Sequence, residues 1–341
     1  MKILVGLSGG LDSTYAALLL KEAGHTVEGA VLDMHPYSET EEARAAATQL
    51  GIPFRVILCR EAFERTVVTD FCSQYLQGRT PNPCILCNET VKFRMLYEEA
   101  MRDGFDRIAT GHYARITSVG GNACVAMGKD TKKDQSYMLY RLPAEILSRL
   151  LLPLGDMTKD EIRESARARN LSVAERAESQ DICFIRGESY TDFLARRCGE
   201  LPKGHFISET GEVLGEHEGI THYTVGQRKG LAVSAPTRLF VKSIDPETRN
   251  IILADKPPRA LRFLLERVVF SGMTPTDDLS CKELLARVRY TAPLTPALLF
   301  REGDALGVAL CENTCAVTPG QSVVLYSGDT IMLGGIVKSL L

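Results

Sequence analysis

The sequence contains no tryptophan, and it has no apolar run of about 18 residues, the length that a membrane-spanning helix needs. It also lacks a signal-peptide pattern, because Gly9, Gly10 and Asp12 interrupt its apolar start. There is no excess of basic residues, since the net charge is −3. We therefore expect a cytoplasmic protein without membrane contact. The charge excludes a chain that is basic throughout, although a local basic patch can still bind nucleic acid.

The composition is typical of a globular enzyme. At 341 residues the chain is too long for one compact core, so we expect two or three domains. Hydrophobic residues make up 45% of the chain and charged residues 24%, as in ordinary globular proteins. In a cytoplasmic protein, the 10 cysteines are expected to be small buried side chains or reactive groups, and not a disulfide framework.

The first half of the chain alternates short apolar runs with helical patterns. Capping boxes at Ser38–Glu41 and Thr158–Glu161 mark the start of two helices. The alternation predicts an α/β fold with a doubly wound parallel sheet, whose site lies at the carboxyl ends of the strands. The predicted strands are 2–7, 27–33, 53–58 and 105–110, and the helices include 61–77 and 88–103.

After residue 195, glycine and proline become frequent and short strands replace the helices. This pattern predicts a small barrel or sandwich with strands over 286–291, 297–300, 305–311, 322–326 and 331–337. We expect three domains, over 1–198, 199–258 (a small adaptor) and 259–341 (a β-domain). A candidate nucleic-acid patch contains eight basic residues against four acidic ones: Lys256, Arg259, Arg262, Arg267, Lys282, Arg287, Arg289 and Arg301.

Residues 3–14 carry the most informative motif. An apolar run ends in Ser8-Gly9-Gly10, and a helical pattern begins directly behind it. The glycines allow several backbone N–H groups to point at one concavity, which is an anion site at a helix N-terminus. Asp12 beside this site suits a Mg²⁺ ion that bridges phosphate oxygens. The loop resembles the Ser-Gly-Gly-x-Asp-Ser loop of the PP-loop ATP pyrophosphatases, which cleave ATP between its α and β phosphates.

Two cysteine segments carry further chemistry. Thr80–Asn88 contains two prolines and places Cys87 ahead of a predicted helix N-terminus, a position that lowers a thiol pKa. Ser179–Ile185 contains Cys183 in a partly polar setting. The remaining cysteines are expected to pack structurally, and no zinc site is expected at Cys311 and Cys315. The structural group is Cys59, Cys72, Cys124, Cys198 and Cys281.

Motifs in order along nearly the whole chain resemble those of the tRNA-specific 2-thiouridylases. That family replaces the C2 oxygen of the wobble uridine of certain tRNAs by sulfur, with ATP as the activating substrate. The motifs are Ser8–Ser13, Thr80–Asn88, Thr110–Arg115, Lys133–Tyr137, Ser179–Ile185, Tyr223–Arg228 and Val288–Tyr290.

The resemblance implies a role for each matching residue. Cys87 would be the nucleophile that resolves a disulfide, and Cys183 would carry a persulfide. ATP, with Mg²⁺, would contact Gly6, Leu7, Ser8, Gly9, Gly10, Leu11, Asp12, Ser13, Met34 and Gly111. The tRNA would contact Asn82, Pro83, Cys84, His112, Lys133, Asp134, Gln135, Arg289, Tyr290 and Gln321. The implied partners are tRNA and a sulfur donor, either a cysteine desulfurase or a sulfur-relay protein.

One departure from the family pattern concerns Cys84. Many members carry aspartate there, so this chain has a Cys84-x-x-Cys87 pair in its place. With Cys183, the pair could supply three thiolates to a [4Fe-4S] cluster whose open iron binds sulfide. It could equally be a redox pair without metal. The sequence leaves both alternatives open.

Two other functions must be considered. A PP-loop ligase that forms or transfers an amide, of the argininosuccinate or GMP synthetase type, would use the same phosphate loop, but it has no use for the paired cysteines. A tRNA-binding protein without catalysis would keep the β-domain, but it has no need for Asp12. An assay with ATP, tRNA and a sulfur donor separates these functions.

Overall fold

The structure, a computed structural model, describes residues 1–176, 182–199, 202–235, 237–258, 260–275, 283–312 and 316–341. Its α-helices in these ranges are α1 (Leu11–Glu22), α2 (Thr40–Leu50), α3 (Arg60–Phe63), α4 (Thr69–Leu76), α5 (Pro83–Cys87), α6 (Phe93–Arg102), α7 (Ala144–Leu147), α8 (Lys159–Ala168) and α9 (Tyr190–Cys198). Two π-helical turns, Glu64–Val68 and Asn88–Lys92, join α3 to α4 and α5 to α6. Ser136–Leu139 and Ile220–His222 are 3₁₀ turns.

Three sheets contain the strands. The first half of the chain contributes β1 (Lys2–Gly6), β2 (Thr26–Asp33), β3 (Phe54–Leu58), β4 (Arg107–Ala109), β5 (Ala114–Val119), β6 (Asn122–Met127) and β7 (Leu150–Leu151). The second half contributes β8 (Gly204–Ser208), β9 (Val213–His217), β10 (Phe240–Ile244), β11 (Ile251–Ala254), β12 (Arg262–Phe270), β13 (Leu284–Arg287), β14 (Thr295–Glu302), β15 (Ala305–Leu310), β16 (Ser322–Ser327) and β17 (Thr330–Leu340).

The N-terminal sheet has the strand order β3-β2-β1-β4-β7, and all of its pairings are parallel. Successive side chains of β1 enter two different cores, because they point to opposite faces of the sheet. Ile3 and Val5 pack with α1 and α2, whereas Leu4 packs with α6 on the other face. The strand order reverses between β1 and β4, and ligands bind at such a switch point. The predicted doubly wound parallel sheet is confirmed.

The second half of the chain is built from β-strands, as predicted. One sheet has the order β10-β11-β8-β9. In the other, β12-β15-β14-β13-β16-β17 closes on itself, because β12 also pairs with β17. The β5–β6 hairpin extends this barrel beside β17, where Thr330 pairs with Ala126.

Some sequence-based boundaries are wrong, for local reasons. The hydroxyl of Ser38 accepts the amides of Met34 and His35 at 3.0 and 3.1 Å, so it does not cap α2 and the predicted capping box is absent. The predicted strand over 286–291 ends at Arg287, because a turn bonds the amide of Ala292 to the carbonyl of Arg289. The strand pattern also missed β12 and the β5–β6 hairpin. The capping box of α8, in contrast, is present as predicted.

Buried polar contacts join the barrel to the N-terminal part. Asp134 and Arg287 form an ion pair at 2.8 Å, and the Tyr137 hydroxyl donates to the Ser322 carbonyl at 2.7 Å. These contacts hold the barrel against the segment 128–140, which borders the site described below. Among the described residues, no helix is both long and apolar enough to span a membrane.

Candidate functional site

The β1–α1 loop has the geometry of an anion site. Gly9 has a φ of +75°, and Gly10 is the extended N-cap of α1. The first intrahelical hydrogen bond runs from the Thr14 amide to the Gly10 carbonyl at 3.2 Å. The backbone amides of the first turn before Thr14 therefore have no partner within the helix. A Cβ on Gly111 would lie 2.6 Å from the backbone of Asp12, so only glycine lets the end of β4 approach this turn. The loop is therefore suited to phosphate.

A cavity of about 1020 Å³ opens in front of this loop, large enough for a nucleotide. The predicted ATP residues on its wall are Gly6, Leu7, Ser8, Asp12, Ser13, Met34 and Gly111. Gly9 and Gly10 shape the loop behind this wall, and the Leu11 side chain is buried in the core. The cavity wall also contains Cys183, His112 and Gln135, which were predicted site residues, and Lys92, which was not predicted.

Both oxygens of the Asp12 carboxylate have partners. Its Oδ1 accepts from the Tyr113 hydroxyl at 2.6 Å and from the Lys159 ammonium at 2.7 Å, and its Oδ2 lies 2.9 Å from the same ammonium. Lys159 and Tyr113 were not predicted. In the sequence, the capping box that begins α8 could have pointed to Lys159, because this residue directly follows the N-cap Thr158.

The site fits Mg²⁺. Among the described residues, the contacts of Asp12 leave one lone pair on Oδ2, and the side chain is 33% exposed. Because Mg²⁺ is commonly held by one or two carboxylates together with substrate phosphates, Asp12 can supply a ligand without losing Lys159.

The prediction that Cys87 precedes a helix N-terminus and has a lowered pKa is wrong. Helical geometry begins at Pro83, and Cys87 is the last residue of α5 before the π-helical turn Asn88–Lys92. Cys87 is only 6% exposed, and burial raises the pKa of its thiol to about 12 against a smaller lowering by the Lys92 ammonium. Its Sγ lies 3.8 Å from the Sδ of Met34, which lines the cavity.

Cys183 lies on the cavity wall in the segment before α9. Partial exclusion of water raises the pKa of its thiol, and the Lys92 ammonium again opposes this shift. Electrostatic interactions with Cys183 and Cys84 contribute to the raised pKa of Cys87. Cys87 therefore lies within electrostatic range of the other two thiols and of the Lys92 ammonium.

Side chains from the second half of the chain hold the loop before Cys84. The carbonyl of Thr80 accepts from the Gln321 side chain at 2.6 Å, and its hydroxyl lies 3.4 Å from that of Thr224. Asn82 is the N-cap of α5 and its amide lies 3.7 Å from the sulfur of Met138, while Pro83 is buried. Cys84 itself is exposed.

His112 and Gln135, which were predicted to contact tRNA, line the cavity. Burial, with a smaller contribution from Lys92, lowers the pKa of His112 to about 3, so its imidazole is neutral at physiological pH. Its Nδ1 lies 2.8 Å from the Thr110 hydroxyl. Gln135 bonds the backbone of Tyr113 through its side chain at 3.0 Å and its own amide at 2.8 Å.

The other predicted tRNA contacts lie at the joint with the barrel. Asp134 is 2% exposed and accepts from Arg287, Ser136 and the Gly128 amide, so its side chain supports the joint. The Tyr290 ring lies 6.1 Å from that of Tyr137, and Arg289 donates to the Ala316 carbonyl. The Lys133 amide donates to the Asp130 carbonyl at 3.1 Å. Contact of these residues with tRNA stays a prediction.

Some predicted features lie outside the described residues. They are Ser179, Gln180 and Asp181 of the Cys183 motif, Cys281 and Cys315, and Arg259 and Lys282 of the basic patch. Of the patch residues that the structure describes, Lys256, Arg262, Arg267 and Arg301 are exposed, whereas Arg287 is buried with Asp134.

Profiles of known families match almost the whole chain. A profile described as tRNA methyl transferase HUP domain matches residues 1–187. One described as tRNA methyl transferase PRC-barrel domain matches 191–255, and one described as aminomethyltransferase beta-barrel domain matches 262–337.

Curated relatives match along their full length. The tRNA-specific 2-thiouridylase MnmA of Syntrophomonas wolfei subsp. wolfei is 43% identical over 343 residues, which cover 99% of this chain and 100% of the relative. The enzyme of the same name from Carboxydothermus hydrogenoformans is 40% identical and covers 100% of this chain and 98% of its own. That from Desulforudis audaxviator is 41% identical, with 98% of each chain covered.

Proposed function

Because the chain belongs to the tRNA-specific 2-thiouridylases, a family of tRNA sulfurtransferases, we propose that it thiolates C2 of the wobble uridine of tRNA by adenylation followed by transfer of a cysteine persulfide. The family resemblance and the enzyme class predicted from the motifs are confirmed. Use of ATP agrees with the phosphate loop and the family.

The first step activates a poor leaving group. The C2 oxygen of uridine attacks the α-phosphate of ATP, the bond between the α-phosphorus and its bridging oxygen breaks, and pyrophosphate leaves. The amides at the start of α1 stabilise the phosphate charge, and Asp12 would hold Mg²⁺, which supplies charge neutralisation on the phosphates. The neutral His112 ring and Gln135 line the cavity without adding an anion that repels ATP.

The second step transfers sulfur. The terminal sulfur of a Cys183 persulfide attacks C2, and AMP leaves with the former C2 oxygen. The Cys87 thiolate then attacks the Cys183 sulfur, which forms a Cys87–Cys183 disulfide and leaves the transferred sulfur on C2. An external dithiol reductant returns both cysteines to thiols. A sulfur donor, a cysteine desulfurase or a sulfur-relay protein, restores the persulfide.

One observation carries this proposal. Met34 and Cys183 line the cavity in front of the phosphate loop, and Cys87 lies behind Met34 at a sulfur–sulfur distance of 3.8 Å. The resolving thiol thus contacts a side chain of the cavity wall, and the Lys92 ammonium interacts electrostatically with both thiols.

A [4Fe-4S] cluster on Cys84, Cys87 and Cys183 is the other route by which sulfide could reach C2. Within the part of the chain that the structure describes, no three His, Cys, Asp or Glu side chains are grouped to hold a metal ion. Iron analysis and visible absorbance after anaerobic purification distinguish the routes, because the persulfide route requires neither iron nor thiolate-to-iron bands.

The target uridine must leave the anticodon stack to reach the cavity, which is easier for a loop base than for a paired one. We propose that the barrel and its exposed basic residues contact the tRNA body through phosphates. The exposed barrel residues Arg262, Arg267 and Arg301, with Lys256 just before the barrel, are candidates for these contacts.

The direct test combines ATP, tRNA and a sulfur donor with nucleoside analysis and pyrophosphate detection. The unaltered chain should form 2-thiouridine. Cys183→Ser should still bind tRNA and release pyrophosphate, because adenylation precedes sulfur transfer, but it should form no 2-thiouridine. Cys311→Ser, which changes an exposed cysteine of the barrel, serves as the matched control and should thiolate normally.

Other outcomes identify the alternatives. Thiolation by Cys183→Ser at the normal rate contradicts the persulfide role. Pyrophosphate that appears only with a small acid substrate would indicate an amide-forming ligase. Tight tRNA binding without pyrophosphate under any condition would indicate a binding protein.

A further inference from the structure

Lys159 lies deep in the site, although it belongs to none of the motifs that define it. It is the first residue of α8 and is only 6% exposed. Its ammonium lies 2.7 Å and 2.9 Å from the two oxygens of Asp12. A buried ammonium is retained only when a well-placed partner compensates for its lost hydration, and Asp12 is such a partner.

The position of Lys159 is fixed by the start of α8. Thr158 and Glu161 form a complete capping box, and Glu161 also binds Lys129 at 2.8 Å. The Lys159 amide donates to Asp130 Oδ2 at 3.0 Å. Because these contacts hold the backbone in place, the ammonium reaches Asp12 from a rigid base.

Tyr113 fixes the same carboxylate from the other side. Its hydroxyl donates to Asp12 Oδ1 at 2.6 Å, and its backbone is bonded twice to Gln135. Among the described residues, Oδ1 accepts from two donors and Oδ2 from one, and these contacts hold the carboxylate in an orientation in which a lone pair of Oδ2 is available to a cation.

We propose that Lys159 is a positioning residue of the ATP site, which acts through Asp12 by holding that carboxylate in the orientation that accepts the magnesium of Mg·ATP. The inference rests on the proposed adenylation in this cavity. Partners of this kind, which orient a ligand without contacting the metal, commonly change affinity by about 10–100-fold when they are removed.

The test is a double-mutant cycle on nucleotide binding, read by calorimetry with α,β-methylene-ATP in excess Mg²⁺. Lys159→Met should weaken binding by about tenfold or more in the otherwise unaltered chain. In the Asp12→Ala background it should change binding by less than about twofold, because a residue that acts only through Asp12 has no effect once Asp12 is gone.

Two further variants keep the test decisive if Lys159→Met folds poorly. Tyr113→Phe removes one donor to Asp12 without changing any charge, and it should weaken binding in the same direction by less. Lys338→Met is the matched control, because it removes the charge of an exposed lysine on β17 of the barrel, and the affinity of this variant should be unchanged.

Two results overturn the inference. One is an equal loss from Lys159→Met in both backgrounds, which would mean direct contact with the nucleotide or a general structural role. The other is normal nucleotide binding by Lys159→Met. If the unaltered chain thiolates tRNA while either result is obtained, only this inference fails. If the unaltered chain binds no ATP analogue, the proposed adenylation itself fails.

Discussion

At the scale of single residues, the site depends on thiols that are protonated at rest. Burial raises the pKa of Cys87 to about 12, and partial burial raises that of Cys183. At neutral pH both groups are therefore mainly neutral thiols in the free chain, and Cys87 becomes an effective nucleophile only when its surroundings change. A resting thiol of this kind avoids premature disulfide formation, since thiol–disulfide exchange requires the thiolate.

This protonation state predicts slow alkylation of Cys87. In a Cys84→Ser background, Cys87 should react with iodoacetamide at pH 8 at least about tenfold more slowly in the folded chain than in urea. Between pH 7 and pH 10 the folded rate should keep rising without a plateau, because a raised pKa leaves the thiolate fraction small throughout that range. Peptide mass spectrometry measures the rate. A plateau below pH 9 would mean an activated thiolate.

At the scale of elements, the segment around Cys87 shows where sequence patterns stop being sufficient. The helical period predicts a continuous helix over 88–103, but the chain forms α5, a π-helical turn over Asn88–Lys92 and then α6. A π-helical turn inserts one residue into the helical repeat, and such turns are frequent at functional sites. Periodicity cannot detect one extra residue, so it also placed Cys87 on the wrong side of a helix end.

Predictions from local signals had mixed success. The capping box of α8 depends on neighbouring residues alone and is present, whereas the one predicted at Ser38–Glu41 is absent. The phosphate loop could be predicted because its signal lies in neighbouring residues, whereas the contact of Lys159 with Asp12 joins residues 147 positions apart. The β5–β6 hairpin was missed although the Gly120-Gly121 turn between its strands is a local hairpin signal.

At the scale of the whole molecule, polar contacts fix the position of the barrel relative to the site. Asp134 and Arg287 are joined at 2.8 Å, and Gln321 of the barrel bonds the loop before Cys84. Lys133, Asp134 and Gln135 were assigned to tRNA by resemblance, yet the side chain of Asp134 is buried. A buried contact between distant segments leaves no periodic signal, so the sequence could not reveal it.

This joint predicts a stability effect. Arg287→Met leaves the buried Asp134 carboxylate without its cation, so the chain should lose about 3 kcal/mol of unfolding free energy. Urea denaturation measures the loss. Arg301→Met, on the exposed surface of the same barrel, is the control and should change stability little. An equal and small effect of both substitutions would mean that the ion pair contributes little to the joint.

The most direct test of sulfur transfer follows both cysteines through a single turnover. The chain is loaded with persulfide on Cys183, freed of reductant, mixed with ATP and tRNA, quenched with an alkylating agent and mapped by mass spectrometry. The Cys87–Cys183 disulfide should appear in equal amount with 2-thiouridine and at the same rate. Accumulation of 2-thiouridine while both cysteines stay open to alkylation would contradict the persulfide mechanism.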